Sequence, residues 1–291
     1  MALARANIIL ARPPMNTISM PQRDQLRQVF EALDGNATVR VIALEAAWFG
    51  ASGGPSFLLL HEGLGCVAAW RDFPDRLHDA TGWGAFAYSR LGYGGSGPAP
   101  LPRPLTYLRD EAALLPAILD QAGIRRCILV GHSDGGTIAA LHAASGADPR
   151  VIGLVLIAPH FMVEEATLRG VRAAADAYNE GDLAQRLRRR HGANTDIAFE
   201  GWRGLWLDPR FHGFQVGEGL RHVSLPVLMI QGLNDAYGTM AQVEYLRARV
   251  PHARQLLLEG CGHMPHLERQ AEVLAAISDF AAAAQARLPS P

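Results

Sequence analysis

Five residues, Gly131-His132-Ser133-Asp134-Gly135, stand between an apolar run, Cys127–Val130, and a helix-like stretch, Thr137–Ala144. Strand, tight turn and helix in that order, with a serine at the apex, leave the backbone few options. Such a turn holds its central residue in strained geometry, and side chains two positions to either side would collide with the strand and the helix. Glycine at 131 and 135 removes both collisions. A bare G-x-S-x-G arises by chance in ordinary sequences, so the weight lies on the strand before it, the helix after it and the partners downstream. Ser133 is the candidate nucleophile.

From about residue 56 the chain alternates short apolar runs with amphipathic stretches, the pattern of a mostly parallel sheet covered by helices on both faces. Phe57–Leu60, Ala85–Tyr88, Cys127–Val130, Val151–Ile157, Val227–Ile230 and Gln255–Leu258 read as strands, with Thr106–Ala122 and Ala271–Ala284 as helices. Between Pro159 and Val223 the alternation fails. That segment is helical in period and rich in aromatics, among them Phe161, Trp202 and Trp206. It reads as a helical cap, residues 159–223, inserted into a core of residues 55–158 and 224–291. Phe161, Trp202 and Trp206 are its candidate substrate-binding residues, although aromatics in an insertion are more commonly its packing core. The basic run Arg186-Leu187-Arg188-Arg189-Arg190 reads as a solvated helix face.

A serine hydroxyl needs a base to take its proton and a carboxylate to orient that base. Asp235 follows the apolar run Val227–Ile230 at a turn, and His263 sits in the loop Gly260-Cys261-Gly262-His263 after the last run. The order serine, acid, histidine fits the strand–elbow–helix context. Alone, Asp235 would be an ordinary turn aspartate, and His266 competes with His263; the glycine before His263 favours a tight loop that presents its ring. Negative charge developing on a carbonyl oxygen needs donors. The amide of Asp134, at the start of the helix, and that of Gly63, in His61-Glu62-Gly63-Leu64-Gly65, are the candidate oxyanion hole.

Composition narrows the partners. A net charge of −1 at pH 7 gives no bulk-charge basis for binding nucleic acid or membrane. Every strongly basic residue is arginine, since the chain has no lysine. Cys66, Cys127 and Cys261 are odd in number and widely spaced, which argues against a disulfide framework and offers no metal-ligand spacing. No apolar run approaches membrane-spanning length, and the first residues carry no cleavable leader pattern. The expectation is a cytoplasmic protein with a small-molecule partner and no metal site, a homodimer being left open.

Taken together, Leu58-Leu59-Leu60-His61, Arg90-Leu91-Gly92-Tyr93-Gly94-Gly95-Ser96, the elbow, Gly232-Leu233-Asn234-Asp235 and Gly262-His263 resemble the α/β-hydrolase superfamily, in family order from about Gly54 to Gln285. The resemblance implies a cofactor-free Ser-Asp-His hydrolase. Its commonest expectation is a serine esterase acting on a small or medium, partly apolar carboxylic ester through an acyl-enzyme. A C–C bond hydrolase of aromatic ring-cleavage products and an acyl-CoA thioesterase use the same triad, and a non-catalytic ligand-binding protein can share the fold. Dehalogenation is disfavoured, because it needs an aspartate at position 133. The chain departs from the pattern at Glu62, where the family commonly has glycine. A carboxylate facing a developing oxyanion is harmful, so Glu62 is expected to point away or to pair with an arginine, a catalytic role being the alternative.

Residues 1–54 are unlike the usual hydrolase start. Ala6–Asn16, a helix expected through Leu33, the run Val39–Leu44 and Gly50-Ala51-Ser52-Gly53-Gly54 resemble the opening of a crotonase (enoyl-CoA hydratase) domain. Some fifty residues cannot supply that family's acyl-CoA pocket, and Pro55 stands where it usually has aspartate. The segment reads as a fused remnant placed to add edge strands.

Overall fold

The computed structural model describes residues 25–32 and 38–287. Strands β1 (Gln25–Ala32), β2 (Thr38–Phe49), β3 (Ser56–Leu60), β4 (Gly84–Tyr88), β5 (Cys127–His132), β6 (Val151–Ile157), β7 (Val227–Gly232) and β8 (Arg254–Leu258) form one sheet. Their order is β1-β2-β4-β3-β5-β6-β7-β8. The pairs from β4 to β8 are parallel, whereas β2 runs antiparallel to both β1 and β4. The expected mostly parallel sheet of the α/β-hydrolase fold is therefore present, with two antiparallel strands at one edge.

Central strands buried on both faces read as unbroken apolar runs, and their side chains still alternate. Leu58, Leu60, Leu129, Leu154, Leu156, Val227 and Met229 point to one face. Phe57, Leu59, Ile128, Val130, Val155, Ile157, Leu228 and Ile230 point to the other. The first face is covered by α2 (Tyr107–Gln121), α3 (Asp134–Ala144) and α7 (Met240–Arg249), through Leu115, Ile138 and Leu246. The second is covered by α1 (Phe73–Thr81) and α9 (Gln270–Ala286), through Leu77, Val273 and Ile277. Truncating one such buried aliphatic to alanine costs about 2–5 kcal/mol.

Between β6 and β7 the chain inserts α4 (Glu165–Asn179), α5 (Leu183–His191) and α6 (Thr195–Trp206), in the stretch where the strand–helix alternation lapses. A four-residue helix, α8 (Pro265–Glu268), precedes α9.

The N-terminal segment differs from expectation. Gln25–Ala32 is a strand, not the end of a helix through Leu33, and it pairs residue for residue with Thr38–Glu45. Its Gln, Leu, Arg, Glu and Ala favour helix weakly, and pairing along eight residues of β2 overrides that preference. β2 continues into the sheet proper, where Ala46–Phe49 pair with Ala85–Tyr88 and Ala46 and Ala47 are buried. The expected Ala6–Asn16 stretch lies outside the described residues.

Candidate active site

The strands β3, β5, β7 and β8 deliver their loops to the same end of the sheet, the carboxyl end at which open α/β sheets bind ligands. Ser133 follows β5 directly, with φ 52° and ψ −118°, a conformation a non-glycine residue adopts at a cost of about 1–3 kcal/mol. The surrounding contacts hold it there. Its amide donates to Ile157 O at 2.8 Å, and its carbonyl accepts from Thr137 N at 3.0 Å. A Cβ on Gly131 would lie 2.2 Å from Gly135 O, and one on Gly135 would lie 1.9 Å from Leu60 O. These are the collisions anticipated for the elbow.

His263 Nε2 lies 3.0 Å from Ser133 Oγ. His263 Nδ1 lies 2.8 and 2.9 Å from the two carboxylate oxygens of Asp235. Asp235 Oδ1 also accepts from Tyr237 N at 2.8 Å, and Oδ2 accepts from Gln231 Nε2 at 2.9 Å. Burial opposes its ionisation, but the His263 hydrogen bond and charge, with the Tyr237 amide, bring its pKa down to about 2. An ionised Asp235 fixes the proton of His263 on Nδ1 and leaves the Nε2 lone pair facing the serine hydroxyl. Tyr237 packs on the His263 ring, with centroids 4.7 Å apart.

The loop after β3 is clamped from behind by Arg90, a buried residue of the Arg90–Ser96 motif. Its guanidinium donates to His61 O at 2.5 Å, to Glu62 O at 2.9 Å and to Tyr107 Oη at 2.9 Å. His61 Nε2 accepts from Arg90 N at 3.1 Å and its Nδ1 donates to Glu62 O at 2.7 Å, which selects one neutral tautomer. Burial, then the Arg90 charge, depresses the His61 pKa to match. Among the described residues the amides of Gly63 and Asp134 donate to no protein acceptor. Gly63 has a packing reason to be glycine as well, since a Cβ there would meet Trp202 at 2.2 Å.

Among the described residues Glu62 pairs with no arginine. Its Oε2 lies 3.6 Å from His132 Nδ1, too long for a tight hydrogen bond but close for an ion pair. Burial pushes the Glu62 carboxyl up, and the contact and charge of His132 outweigh it, holding the group well below the usual carboxylate range. His132 Nε2 in turn donates to His263 O at 2.7 Å. His132 Nδ1, on the other side of the ring, makes no hydrogen bond and has the Glu62 carboxylate as its near neighbour. Glu62 and His132 therefore brace the loop that carries His263.

These groups open into a cavity of about 380 Å³. Ser133, Asp134, Gly63 and His263 line it from the sheet side, and Trp202 and Trp206 line it from α6. Trp206 Nε1 donates to Asp134 Oδ1 at 3.2 Å. Burial raises the Asp134 pKa, partly countered by the Arg90 charge and the Trp206 bond. Phe161 does not reach the cavity; it is fully buried and stacks on Tyr245, with centroids 5.8 Å apart and planes 5° from parallel. His266, the competitor of His263, is buried among Trp70, Phe73 and His132. Among the described residues no three His, Cys, Asp or Glu side chains gather as a metal site, and no helix is long and apolar enough to cross a membrane.

Residues 57–277 match the model of the alpha/beta hydrolase family. The chain belongs to that family. A proline iminopeptidase of Lactobacillus delbrueckii subsp. lactis is 24% identical over 262 residues, covering 77% of this chain and 88% of the relative. A carboxylesterase structure from the thaumarchaeon Nitrososphaera gargenis superposes with a TM-score of 0.71 at 18% identity, over 89% of this chain and all of that one. A putative aryl esterase from Burkholderia cenocepacia gives 0.67 at 22% identity, over 85% of this chain and 97% of that one.

Several residues around the hydrolase site were not singled out by sequence. His160 stands over the His263 ring at 5.6 Å, its pKa lowered to about 3 by burial and then by the His263 charge. Arg71 lines the cavity too, and the basic run expected to be a solvated helix face turns two of its four arginines, Arg186 and Arg190, into it. A signal for the last two existed. Leu183, Arg186, Leu187 and Arg190 fall at i, i+3, i+4 and i+7 of one helix, so half of the basic run shares a face with two leucines.

Proposed function

We propose that the hydrolase is a serine esterase cleaving a small or medium, partly apolar carboxylic ester through an acyl-enzyme. The observation that carries this reading is the unbroken contact from Ser133 Oγ through His263 to the buried Asp235. His263 Nε2 takes the hydroxyl proton as Ser133 Oγ attacks the ester carbon, and Asp235 stabilises the imidazolium that forms. The amides of Gly63 and Asp134 receive the oxyanion. Collapse returns the proton from His263 to the departing alkoxide and leaves an ester on Ser133. Water, activated by the same histidine, releases the acid. The insertion between β6 and β7 serves as the cap, its Trp202 and Trp206 forming an apolar wall over the serine. Three free, buried cysteines fit a reducing compartment, and we place the protein in the cytoplasm.

The test is hydrolysis of p-nitrophenyl acetate, butyrate and octanoate by wild type and Ser133→Ala. Turnover by wild type, lowered about 10³-fold or more in the variant, is the expected result. Equal rates in the two proteins would remove Ser133 from the reaction. Prolyl p-nitroanilide, acyl-CoA and dienoic ring-cleavage substrates run beside the esters, and a kcat/KM favouring one of them would replace the ester reading by that one.

A further inference from the structure

The cavity mouth carries three arginines from two sides. Arg186 and Arg190 lie one helical turn apart on the face of α5 that also presents Leu183 and Leu187 to the cavity. Arg71 enters from the turn before α1, at φ 54° and ψ −127°, a left-handed conformation uncommon for a non-glycine residue. Arg188 and Arg189, on the same helix, are exposed and do not line the cavity.

The anionic groups on the same wall are already engaged. Glu62 faces His132. Glu268 accepts from Gly262 N at 2.6 Å and from Met264 N at 2.9 Å. Asp134 accepts from Trp206 and is turned toward its neutral form by burial. The arginines are less occupied: among the described residues Arg71 and Arg190 make no ion pair, and Arg186 meets only the exposed Asp182, at 3.4 Å. A pair that exposed holds its partner weakly. Guanidinium groups recognise carboxylates and phosphates through paired, charge-assisted hydrogen bonds.

We propose that Arg71, Arg186 and Arg190 form an anion subsite at the mouth, and that the substrate bears a carboxylate or phosphate group away from the bond that is cleaved. This rests on the serine-hydrolase reading for the cleavage itself but not for the binding. The anion has two sources, a carboxylate ending the acyl chain or phosphates on the leaving group of an acyl thioester.

The experiment compares kcat/KM for p-nitrophenyl butyrate, mono-p-nitrophenyl glutarate, p-nitrophenyl 4-aminobutyrate and butyryl-CoA, with and without 0.5 M NaCl. The anionic substrate exceeds the neutral one by roughly tenfold or more, mainly through KM, and salt erodes the advantage. Preference for the glutarate locates the anion on the acyl side, and preference for the thioester locates it on the leaving group. Arg190→Gln and Arg71→Gln reduce the anionic-to-neutral ratio, whereas Arg189→Gln, on the outward face, leaves it unchanged. Calorimetric binding of monomethyl glutarate and methyl butyrate to Ser133→Ala supplies a readout without turnover. If wild type cleaves nothing but Ser133→Ala binds the glutarate in an Arg190-dependent way, the subsite stands and the esterase reading falls. Equal kcat/KM across the charge series, or preference for the cationic ester, overturns the subsite and leaves the esterase reading intact. Neither turnover nor binding overturns the subsite as well.

Discussion

Glu62 and His132 leave neighbouring strands, β3 and β5, at the same level, Leu60 being paired with Gly131 just before them. That pairing explains what the linear order could not convey. Ser133, Asp235 and His263 were legible because each follows an apolar strand at a turn. The partner of Glu62 was not, because seventy residues separate two side chains that only the sheet register brings together. Removing the Glu62 charge leaves a buried imidazole facing an uncharged amide and loosens the brace on His263. Glu62→Gln should therefore lower stability by about 1–3 kcal/mol. Urea unfolding measures it, and a midpoint equal to that of wild type would mean that the pair contributes nothing. Asp134 carries a related lesson: its amide was expected at the oxyanion, while its side chain took an unforeseen bond from Trp206 in the insertion.

At the level of elements, the elbow was readable down to its glycines, and the insertion only as a helical segment in the right place. Strand positions in the core follow period two, and the expected runs from Phe57 to Leu258 meet the observed strands to within one or two residues. Helices of the insertion pack on one another and on the cavity, so their periodicity gave their kind without their contacts. Phe161 illustrates this: an aromatic in a helical insertion, it is anchored against Tyr245 of α7 instead of facing substrate. Two glycines test the argument with opposite signs. Gly135→Ala forces a Cβ against the Leu60 backbone and should destabilise by about 1–3 kcal/mol or more. Gly204→Ala, exposed within α6 with nothing within 4 Å of the added atom, should stabilise by about 0.5–1 kcal/mol. Denaturant midpoints decide both, and equal shifts in one direction would contradict the packing described.

Over the whole molecule, three histidines are locked neutral by the backbone. His61, His142 and His191 each accept from a main-chain N–H with one ring nitrogen and contact a main-chain carbonyl with the other. Protonation would break the accepted bond in every case, and burial lowers the pKa of all three. His160, also depressed by burial, follows at about 3. Unfolded, these imidazoles take up protons near pH 6.5, so below that value the unfolded chain binds more protons than the folded one. Stability present above pH 6.5 is lost as the pH falls toward 3. Asp235 keeps its charge down to about 2 and contributes only below pH 4, so it does not account for an earlier loss. Thermal melts should fall by several degrees between pH 7 and pH 5, and a flat Tm over that range would show that the histidines are not held as described. None of this was legible in sequence, where a histidine's partners are invisible.

The central claim, an activated nucleophile at Ser133, is tested most directly by labelling with a fluorophosphonate and locating the adduct by mass spectrometry. One adduct per chain at Ser133, absent in Ser133→Ala and formed far more slowly in His263→Ala, is the expected result. No adduct, an adduct elsewhere, or an unchanged labelling rate in His263→Ala would contradict it.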